Sequence, residues 1–463
     1  MATQALKCER HGELTRLTCV DCGKPICPKC AVRTEVGLKC EDDAAPAAIN
    51  EKAMAMMRPS RTPLYLGVGG ALLAVLLIAV LLSSSGDDGG DQTSTSLPPT
   101  GSWRQAPDLA TIRGTTTAIV LRDGKMLVAG GGVGAIPIEA AEIFDPVSGE
   151  WASTGSLGQG RRGHTGVLLN DGRVMVAGGR DAEGEPMSSA EIYDPASATW
   201  TTVAPMSVGR LGHSMSVLAD GRVMVAGGSS RGPSGASGGQ TIRPDATAEV
   251  FDPATGTWRS TAPMRTARFE HTATAMPDGK VLVTGGQGPA QGGQVKALQS
   301  VELYDPAVDG FVSTTDLDEA RTNHAAVLLS DRSSVLVMGG AGGDNADISI
   351  STAEVFDSRS GTWTQVSPLN LDRTGHTATL LADGRVLAAG GESAQRGQRR
   401  SLRTGEVYDP NTREWRSAGD MACPRSEQAA ALLGDGTVLV VAGDAAFPGQ
   451  NPIAQGCVDR YQP

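Results

Sequence analysis

Short apolar runs alternate with turn residues from Trp103 to the end of the chain, and one pattern recurs about every fifty residues. Its clearest copies read DGRVMVAGG from Asp171 and Asp220, DGKVLVTGG from Asp278 and DGRVLAAGG from Asp383, and seven copies can be counted. An Asp-Gly pair between two apolar runs predicts two strands joined by a two-residue hairpin with a type I′ turn. The fifth copy reads DRSS at 331–334 and needs a longer turn.

Each second apolar run ends in Gly-Gly, where absent side chains let neighbouring backbones approach closely; the seventh copy has Ala442-Gly443 instead. A third strand follows a loop of variable length and ends in Asp-Pro, as in AEIYDP from Ala190. A fourth strand then opens with an aromatic residue such as Trp200. Four antiparallel strands per repeat predict one blade of a β-propeller, so the predicted fold class is all-β.

The two ends of the array complement each other. The last copy stops after its third strand, at VDRYQP from Val458, whereas the array begins with a lone fourth-strand sequence, SWRQAP from Ser102. Pairing these segments removes the free edges that an open stack of blades would expose. We therefore predict a closed seven-bladed propeller over residues 102–463, with the strand at Trp103 completing the last blade.

The repeat resembles the kelch family, whose units carry paired glycines, then an aromatic-Asp element and a Trp, here for example Gly178-Gly179, Tyr193-Asp194 and Trp200. The resemblance covers about three quarters of the chain. It implies a kelch-type propeller that acts as a binding platform, since kelch propellers mostly present ligand surfaces and only a minority are enzymes. Fold alone does not decide function.

Five of the six histidines occupy one position of the repeat, the end of an R-x-x-H motif. They are His164, His213, His271, His324 and His376, with Arg161, Arg210, Arg268, Arg321 and Arg373. A histidine that recurs in successive blades predicts a structural hydrogen-bonding role. The copper-radical oxidases that share the kelch fold need a Cys-Tyr crosslink and further Tyr and His ligands, and no such set remains here. We expect no enzyme; the alternative is a carbohydrate-active or oxidase-type ectoenzyme that uses the propeller axis.

The loops after the Gly-Gly pairs vary while their flanks stay constant, which is typical of binding loops. The sixth loop carries four arginines, Arg396, Arg399, Arg400 and Arg403. Arginine side chains bind carboxylate and phosphate groups, so we predict a polar or anionic ligand there, on a protein or a glycan. A solvated loop without a ligand is the alternative.

Cys423 precedes the first strand of the last blade and Cys457 precedes its third strand. Alternating strand direction places both cysteines at one face. A disulfide would suit an oxidising compartment outside a membrane. Two buried free thiols are the alternative.

The N-terminal cysteines follow a metal-ligand spacing, in which pairs of ligands two residues apart form knuckles for tetrahedral Zn²⁺. The predicted ligands are Cys8, His11, Cys19, Cys22, Cys27, Cys30, Cys40 and Asp43. Cross-bracing would give one site from Cys8, His11, Cys27 and Cys30, and a second from the other four. Residues 1–45 resemble a B-box-type zinc finger, which implies one or two structural zinc ions and a protein partner for this module.

Residues 64–82 form an uncharged apolar run, long enough to cross a hydrocarbon core of about 30 Å as a helix. Basic residues precede the run, within the juxtamembrane segment 46–63: Lys52, Arg58 and Arg61. Acidic residues follow it, within the flexible linker 83–101: Asp87, Asp88 and Asp91. This asymmetry predicts a cytoplasmic N-terminus and an extracytoplasmic propeller.

The net charge of -11 argues against nucleic acid as a partner, because phosphate binding needs a basic surface. Taken together, the sequence predicts a single-pass membrane protein, of bacterial source, with a zinc-binding module inside and a recognition propeller outside. A scaffold that organises envelope proteins is a further alternative.

Overall fold

A computed structural model describes residues 100–231, 242–343, 347–395, 398–446 and 453–463, together with four short strands nearer the N-terminus. The chain divides into two compact units, Met1–Thr93 and Ser94–Pro463. The described residues of the first unit form two antiparallel hairpins. Leu6–Lys7 pairs with Leu14–Thr15, and Ala31–Thr34 pairs with Gly37–Cys40.

Most of the predicted N-terminal features lie outside the described residues. Cys40 ends a described strand, opposite Ala31, but the other predicted zinc ligands and the apolar run 64–82 are not described. Across the described ranges, no helix has both the length and the apolar character needed to cross a bilayer.

The described part of the second unit contains seven four-stranded antiparallel sheets, which we call blades 1 to 7. First strands lie nearest the axis and contact those of both neighbouring blades. They are Thr117–Val120, Thr165–Leu168, Ser214–Val217, Thr272–Ala275, Ala325–Leu328, Thr377–Leu380 and Ala429–Leu432. The second strands are Met126–Ala129, Val174–Ala177, Val223–Ala226, Val281–Thr284, Ser334–Met338, Val386–Ala389 and Val438–Val441.

The outer two strands complete each blade. The third strands are Ala141–Asp145, Ala190–Asp194, Ala248–Asp252, Val301–Asp305, Ala353–Asp357, Thr404–Asp409 and Val458–Gln462. The fourth strands of blades 1 to 6 are Glu150–Ser153, Thr199–Val203, Thr257–Ser260, Gly310–Ser313, Thr362–Val366 and Glu414–Asp420. The fourth strand of blade 7 is Ser102–Ala106, from the start of the array.

The predicted ring closure is confirmed. Ser102–Ala106 runs antiparallel to Val458–Gln462, with Trp103 opposite Tyr461. Their ring centroids are 5.0 Å apart, and equivalent aromatic pairs join the third and fourth strands of blades 1 to 6. The ring is thus held by a pairing between the two ends of the array.

The predicted type I′ turn at the Asp-Gly pairs is wrong. In blade 1 the N–H of Gly124 donates to the carbonyl of Leu121 at 3.0 Å, and the N–H of Leu121 donates to Lys125 at 2.7 Å. Gly124 has φ +84°, whereas Asp123 is not among the residues with positive φ. These features describe a three-residue loop, a type I turn followed by a left-handed glycine. Asp123 favours this loop because its Oδ1 accepts the N–H of Lys125.

The longer turn predicted in the fifth copy is confirmed. The N–H of Leu329 donates to the carbonyl of Ser334, five positions on, rather than four as in blade 1. Arg332 takes a left-handed φ of 56° where the other copies use glycine.

Apolar side chains of neighbouring blades pack together to form the core. One cluster joins Met175 and Ala177 of blade 2 with Val223 and Val225 of blade 3. Indole groups add polar links between blades: Trp200 Nε1 of blade 2 donates to the carbonyl of Gly155 at 2.8 Å. Each blade therefore depends on its neighbours for burial of its faces.

Candidate functional site

The propeller has two different faces because neighbouring strands within a blade run antiparallel. The loops after the Gly-Gly pairs share one face, which we call the loop face, with the connections between successive blades. The Asp-Gly and Asp-Pro turns occupy the opposite face. The loop face therefore combines variable loops with the R-x-x-H segments.

Six of the variable loops contain small two-stranded hairpins within the described ranges, and that of blade 2 has only an isolated bridge from Arg180 to Pro186. The hairpins are Gly132–Val133 with Ile136–Pro137, Ser229–Arg231 with Ile242–Pro244, Gln287–Pro289 with Val295–Ala297, Ala341–Gly342 with Ile348–Ser349, Glu392–Gln395 with Gln398–Ser401, and Asp444–Ala445 with Ile453–Ala454. A 3₁₀ turn, Gln291–Gly293, lies in the fourth loop.

A buried ion pair anchors the loop face in every blade. It joins the arginine of the R-x-x-H position to the acid two residues before the aromatic residue of the third strand, at 2.6 to 2.9 Å in blades 1 to 6. The pairs are Arg113–Glu142, Arg161–Glu191, Arg210–Glu249, Arg268–Glu302, Arg321–Glu354, Arg373–Glu406 and, in blade 7, Arg425–Asp459. All seven arginines are fully buried.

Blade 4 shows how this network connects three segments. Arg268 Nη1 donates to the carbonyls of Gly285 and Ser300, both at 2.8 Å. Glu302 Oε2 accepts the N–H of Arg265 at 2.7 Å. Burial lowers the pKa of Arg268, and the charge of Glu302 opposes that shift. Sequence reasoning noted the arginines but missed their partners, although an acid stands at the same position of every third strand.

Three of the five recurring histidines, His213, His271 and His324, bond to the preceding blade, in agreement with the predicted hydrogen-bonding role. Both ring nitrogens of His164 and His376 lack a partner among the described residues. His213 Nε2 contacts Thr165 Oγ1 of the preceding blade at 2.7 Å, and His271 Nε2 contacts Ser214 Oγ at 2.8 Å. Burial, with the nearby charge of Arg210, lowers the pKa of His213 to about 3. The imidazole therefore stays neutral near pH 7 and serves as an inter-blade contact.

In blades 1 to 5 the first glycine of the Gly-Gly pair makes room for the histidine of the next blade, and in blade 6 Gly390 faces Gln428 instead. A Cβ on Gly178 would lie 2.4 Å from Cε1 of His213, too close for van der Waals contact. Blade 7 has Ala442 at this position, facing blade 1, where Thr116 replaces the histidine. The two departures compensate, because the shorter Thr side chain leaves space for a methyl group.

The residue before each histidine position forms a ring around the axis, and we call these the axial residues. They are Thr115, Gly163, Gly212, Glu270, Asn323, Gly375 and Glu427. All have left-handed φ angles between 46° and 64°. Successive axial residues are linked by backbone hydrogen bonds, for example from Glu270 N–H to Gly212 at 2.7 Å and from Glu427 N–H to Gly375 at 2.9 Å.

Four of the seven axial positions carry side chains although glycine would be less strained. A left-handed φ costs a non-glycine residue about 1–3 kcal/mol. Four non-glycine axial residues adopt this conformation, and all four line a cavity of about 670 Å³ on the loop face: Thr115, Glu270, Asn323 and Glu427. The cavity also reaches Arg180 of the second loop. Its size is within the usual range for ligand sites, roughly 300–1,000 Å³.

A second cavity, of about 270 Å³, adjoins the first along the axis. The two share several lining residues, among them Thr115, Asn323 and Glu427. Its remaining wall includes His376 and Gln428. Among the residues that the structure describes, Glu427 is the carboxylate that lines both cavities.

The carboxylates of the larger cavity differ in their partners. Glu270 Oε2 accepts hydrogen bonds from Gln287 Nε2 and Asn323 Nδ2, both at 2.9 Å, and burial raises its pKa. Asp444 lies 3.6 Å from Arg162 Nη2. Within the part of the chain that the structure describes, the carboxylate of Glu427 makes no hydrogen bond or ion pair.

The surroundings of Glu427 disfavour its negative charge. Glu427 is solvent-exposed where it lines the two axial cavities. Desolvation within the ring of axial residues, together with the negative charges of Glu270, Asp444 and Glu392, raises its pKa to about 7, and Arg162 opposes the shift. Glu427 therefore changes charge near neutral pH.

This shift predicts a pH-dependent cost to stability. The folded pKa of about 7 exceeds the ordinary value of 4.5, so stability falls as pH rises between these values and the full penalty remains above pH 7. Glu427→Gln removes the penalty. We expect its melting temperature to exceed that of the wild type at pH 8 and to exceed it by less at pH 5. Glu150→Gln, on an exposed outer strand, is the matched control. If the melting temperatures of Glu427→Gln and the wild type differed equally at pH 5 and pH 8, the raised pKa of Glu427 would be contradicted.

The predicted arginine site stays a prediction. Arg399 Nη1 lies 3.2 Å from Glu392 Oε1 and Arg403 Nε lies 3.2 Å from Asp420 Oδ2. Arg400 is exposed, and Arg396 lies outside the described residues. The structure thus places the described arginines on or beside the hairpin of the sixth loop, whereas the axial cavities have a different lining.

Cys423 and Cys457 form a disulfide, the first of the two alternatives left open by the sequence. Their Cα atoms are 6.5 Å apart and 34 residues separate them along the chain. The carbonyl of Cys457 also accepts a hydrogen bond from Arg425 at 2.6 Å. The bridge thereby links the seventh loop to the segment that carries Glu427.

Comparison with protein families gives two matches. The kelch motif matches residues 161–207, 210–265, 321–370 and 373–422. The B-box zinc finger matches residues 3–35. The B-box match includes six of the predicted zinc ligands and ends before Cys40 and Asp43, so the second zinc site stays a prediction.

Curated relatives match only part of the propeller. Kelch-like protein 26 of Danio rerio is 27% identical over 193 residues, which is 42% of this chain and 30% of that protein. Kelch-like protein 25 of Xenopus tropicalis is 29% identical over 174 residues, covering 36% of this chain and 28% of that protein. The chain therefore spans less than a third of the length of these relatives. The bacterial source expected from the sequence stays a prediction.

A fungal alcohol oxidase of the AA5 family, solved in complex with copper, is similar in structure. The TM-score is 0.61 at 17% identity, over 78% of this chain and 76% of that one. Such a likeness concerns the fold alone. With the repeat matches and the seven closed blades, the chain carries kelch repeats arranged as a seven-bladed β-propeller, preceded by a B-box zinc finger.

Proposed function

We propose that the loop face of the propeller binds a protein partner around the axial cavity. The observation that carries this proposal is the set of polar axial side chains that line the cavity in a strained backbone conformation. Apolar residues exposed on the surrounding hairpins support it: Ile136, Ile348 and Ile453 are 59%, 47% and 52% exposed. Such a combination of apolar contacts and a few placed polar groups is common at recognition sites.

Binding rather than catalysis is the activity we propose. Burial lowers the pKa values of His164, His213 and His376 to about 3, so their imidazoles are weak proton acceptors and poorly suited to act as general bases near pH 7. The similarity to an alcohol oxidase concerns the fold and carries no residue of an active site to this chain.

For the whole chain we propose a single-pass membrane protein. The apolar run 64–82, its basic and acidic flanks and the polar linker 83–101 support a cytoplasmic N-terminus and an extracytoplasmic propeller. The disulfide between Cys423 and Cys457 suits an oxidising compartment. The B-box module would then lie on the cytoplasmic side, hold one or two structural zinc ions through its Cys and His side chains, and contact a protein partner of its own.

Site-specific photo-crosslinking in cells that express the full chain tests the role of the loop face. A photoreactive residue at Ile136 or Ile453 should give protein adducts, whereas one at Val147 or Val308 should not. The control valines are 95% and 69% exposed and lie in Asp-Pro turns on the opposite face. Adducts from both faces, or from neither, would contradict the proposal, and a glycan ligand would give no protein adduct.

A further inference from the structure

The feature that carries a further inference is the unpaired carboxylate of Glu427 on the axis. It lines both axial cavities and has no hydrogen bond or ion pair within the described ranges. Gln428, the next residue, is 7% exposed and lines the smaller cavity. Its Nε2 donates to the carbonyl of Ala389 at 2.6 Å, but its Oε1 accepts no hydrogen bond from any described group. Two neighbouring acceptors at the axis thus receive no hydrogen bond from the described protein groups.

The charged groups that face Glu427 leave a negative balance. The carboxylates of Glu270 and Glu392 approach from two other blades and that of Asp444 from the loop of blade 7 itself, and Arg162 opposes them. Arg180 also lines the larger cavity and acts on Asp444. Arg162 already donates to Thr115 Oγ1 at 3.0 Å and lies 3.6 Å from Asp444. The histidines of the smaller cavity, His324 and His376 among them, are kept neutral by burial, which lowers their pKa values.

The walls of the larger cavity are partly apolar. Leu211 and Phe269 line it on one side and Pro186 lines it on another. A ligand that combines an aliphatic stem with a cationic, hydrogen-bond-donating head matches both features, and basic side chains have this construction. Arginine in particular is enriched among the residues that dominate protein interfaces.

We propose that the partner inserts an arginine or lysine side chain along the propeller axis, with its cationic head paired to Glu427. This inference rests on the proposed function, since it names the chemistry that the loop face recognises. The incoming cation supplies the donors that Glu427 lacks and offsets the negative charges around it. Binding consequently favours the ionised form of Glu427 and strengthens as pH rises through about 7.

N-acetyl-arginine amide is the probe that tests this inference, with N-acetyl-citrulline amide as its neutral isostere. Both are titrated against the full chain in mild detergent, and binding is followed by saturation-transfer NMR. For a ligand of this size we expect a Kd of about 1 mM at pH 8. The citrulline amide should bind at least about tenfold more weakly.

Substitution of Glu427 tests whether the arginine amide binds at the propeller axis. Glu427→Gln should weaken binding of the arginine amide about tenfold and abolish its pH dependence, whereas Glu150→Gln should change neither. Equal binding of both amides, no binding up to about 20 mM, or an unchanged Kd in Glu427→Gln would overturn the inference. Displacement by CaCl₂ but not by NaCl of equal ionic strength would show a metal-ion site and would also overturn it.

The two proposals fail in different ways. If Ile136 and Ile453 gave protein adducts but the arginine amide did not bind, only the inference of an inserted basic side chain would be refuted. If those adducts did not form, the proposal that the loop face is the interaction surface would itself be refuted.

Discussion

Deleting residues 101–109 should lower the melting temperature of the propeller by at least about 10 °C. The deletion removes the fourth strand of blade 7 with Trp103, and it also removes Leu109, which is 6% exposed in the cluster between blades 7 and 1. Loss of two such side chains costs about 5–10 kcal/mol. It also leaves the edge of Val458–Gln462 unpaired.

Calorimetry of the full chain in detergent measures this effect. Deletion of the nine residues 85–93, in the predicted linker, is a control of equal length and should leave the transition unchanged. If both deletions gave the melting temperature of the wild type, the ring would not depend on this strand and the closure would be refuted.

Arg268→Ala should destabilise the chain by about 3–5 kcal/mol, because it leaves the buried charge of Glu302 without its partner. It also removes donors from the carbonyls of Gly285 and Ser300. Arg259 is the matched control, since its ion pair with Asp309 links blades 3 and 4 at the surface, with the two side chains 52% and 35% exposed. Exposed pairs of this kind contribute about 0–1 kcal/mol.

A double-mutant cycle separates the ion pair from other losses. Arg268→Met with Glu302→Leu removes both charges, and we expect it to cost less than the sum of the two single changes. The measurement is the free energy of unfolding from calorimetry of each variant. A cost for Arg268→Ala no larger than that for Arg259→Ala would contradict the role of the buried network.

The fold was largely predictable because similar strand and turn residues recur in the seven repeats, with departures such as DRSS at 331–334 and Ala442-Gly443. The orphan segment at Trp103 even predicted the closing strand, now found opposite Tyr461. The turn type at Asp123-Gly124 was not predictable in the same way. Both candidate turns place glycine in the left-handed region, and they differ in the strand register, which depends on pairing across the whole blade.

The candidate site was much less accessible to sequence reasoning. The sequence predicted a ligand site at the arginines of the sixth loop, because variable loops usually carry binding specificity. The axial residues instead precede the histidine position of each repeat, where Glu270 and, in the R-x-x-Q copy, Glu427 replace the glycine of Gly163 and Gly212. That substitution was visible, but only ring closure shows that positions about fifty residues apart converge on one axis.

The buried acids were also overlooked, for a different physical reason. An acid on a strand such as Ala248–Asp252 suggests a solvated position, yet Glu249 is 2% exposed. Its burial depends on Arg210, which lies in the connection between blades 2 and 3. Arg210 Nη2 is 2.9 Å from Glu249 Oε1. Pairing of this kind cannot be derived from a single strand.

The comparison of photo-crosslinking yields from the two faces tests the central claim most directly. The account predicts a protein adduct from photoreactive residues at Ile136 and Ile453, around the axial cavity, and none from Val147 and Val308. Adducts formed equally from Val147 and Ile136, in the same cells and at the same expression level, would show that the loop face has no special role and would contradict the account.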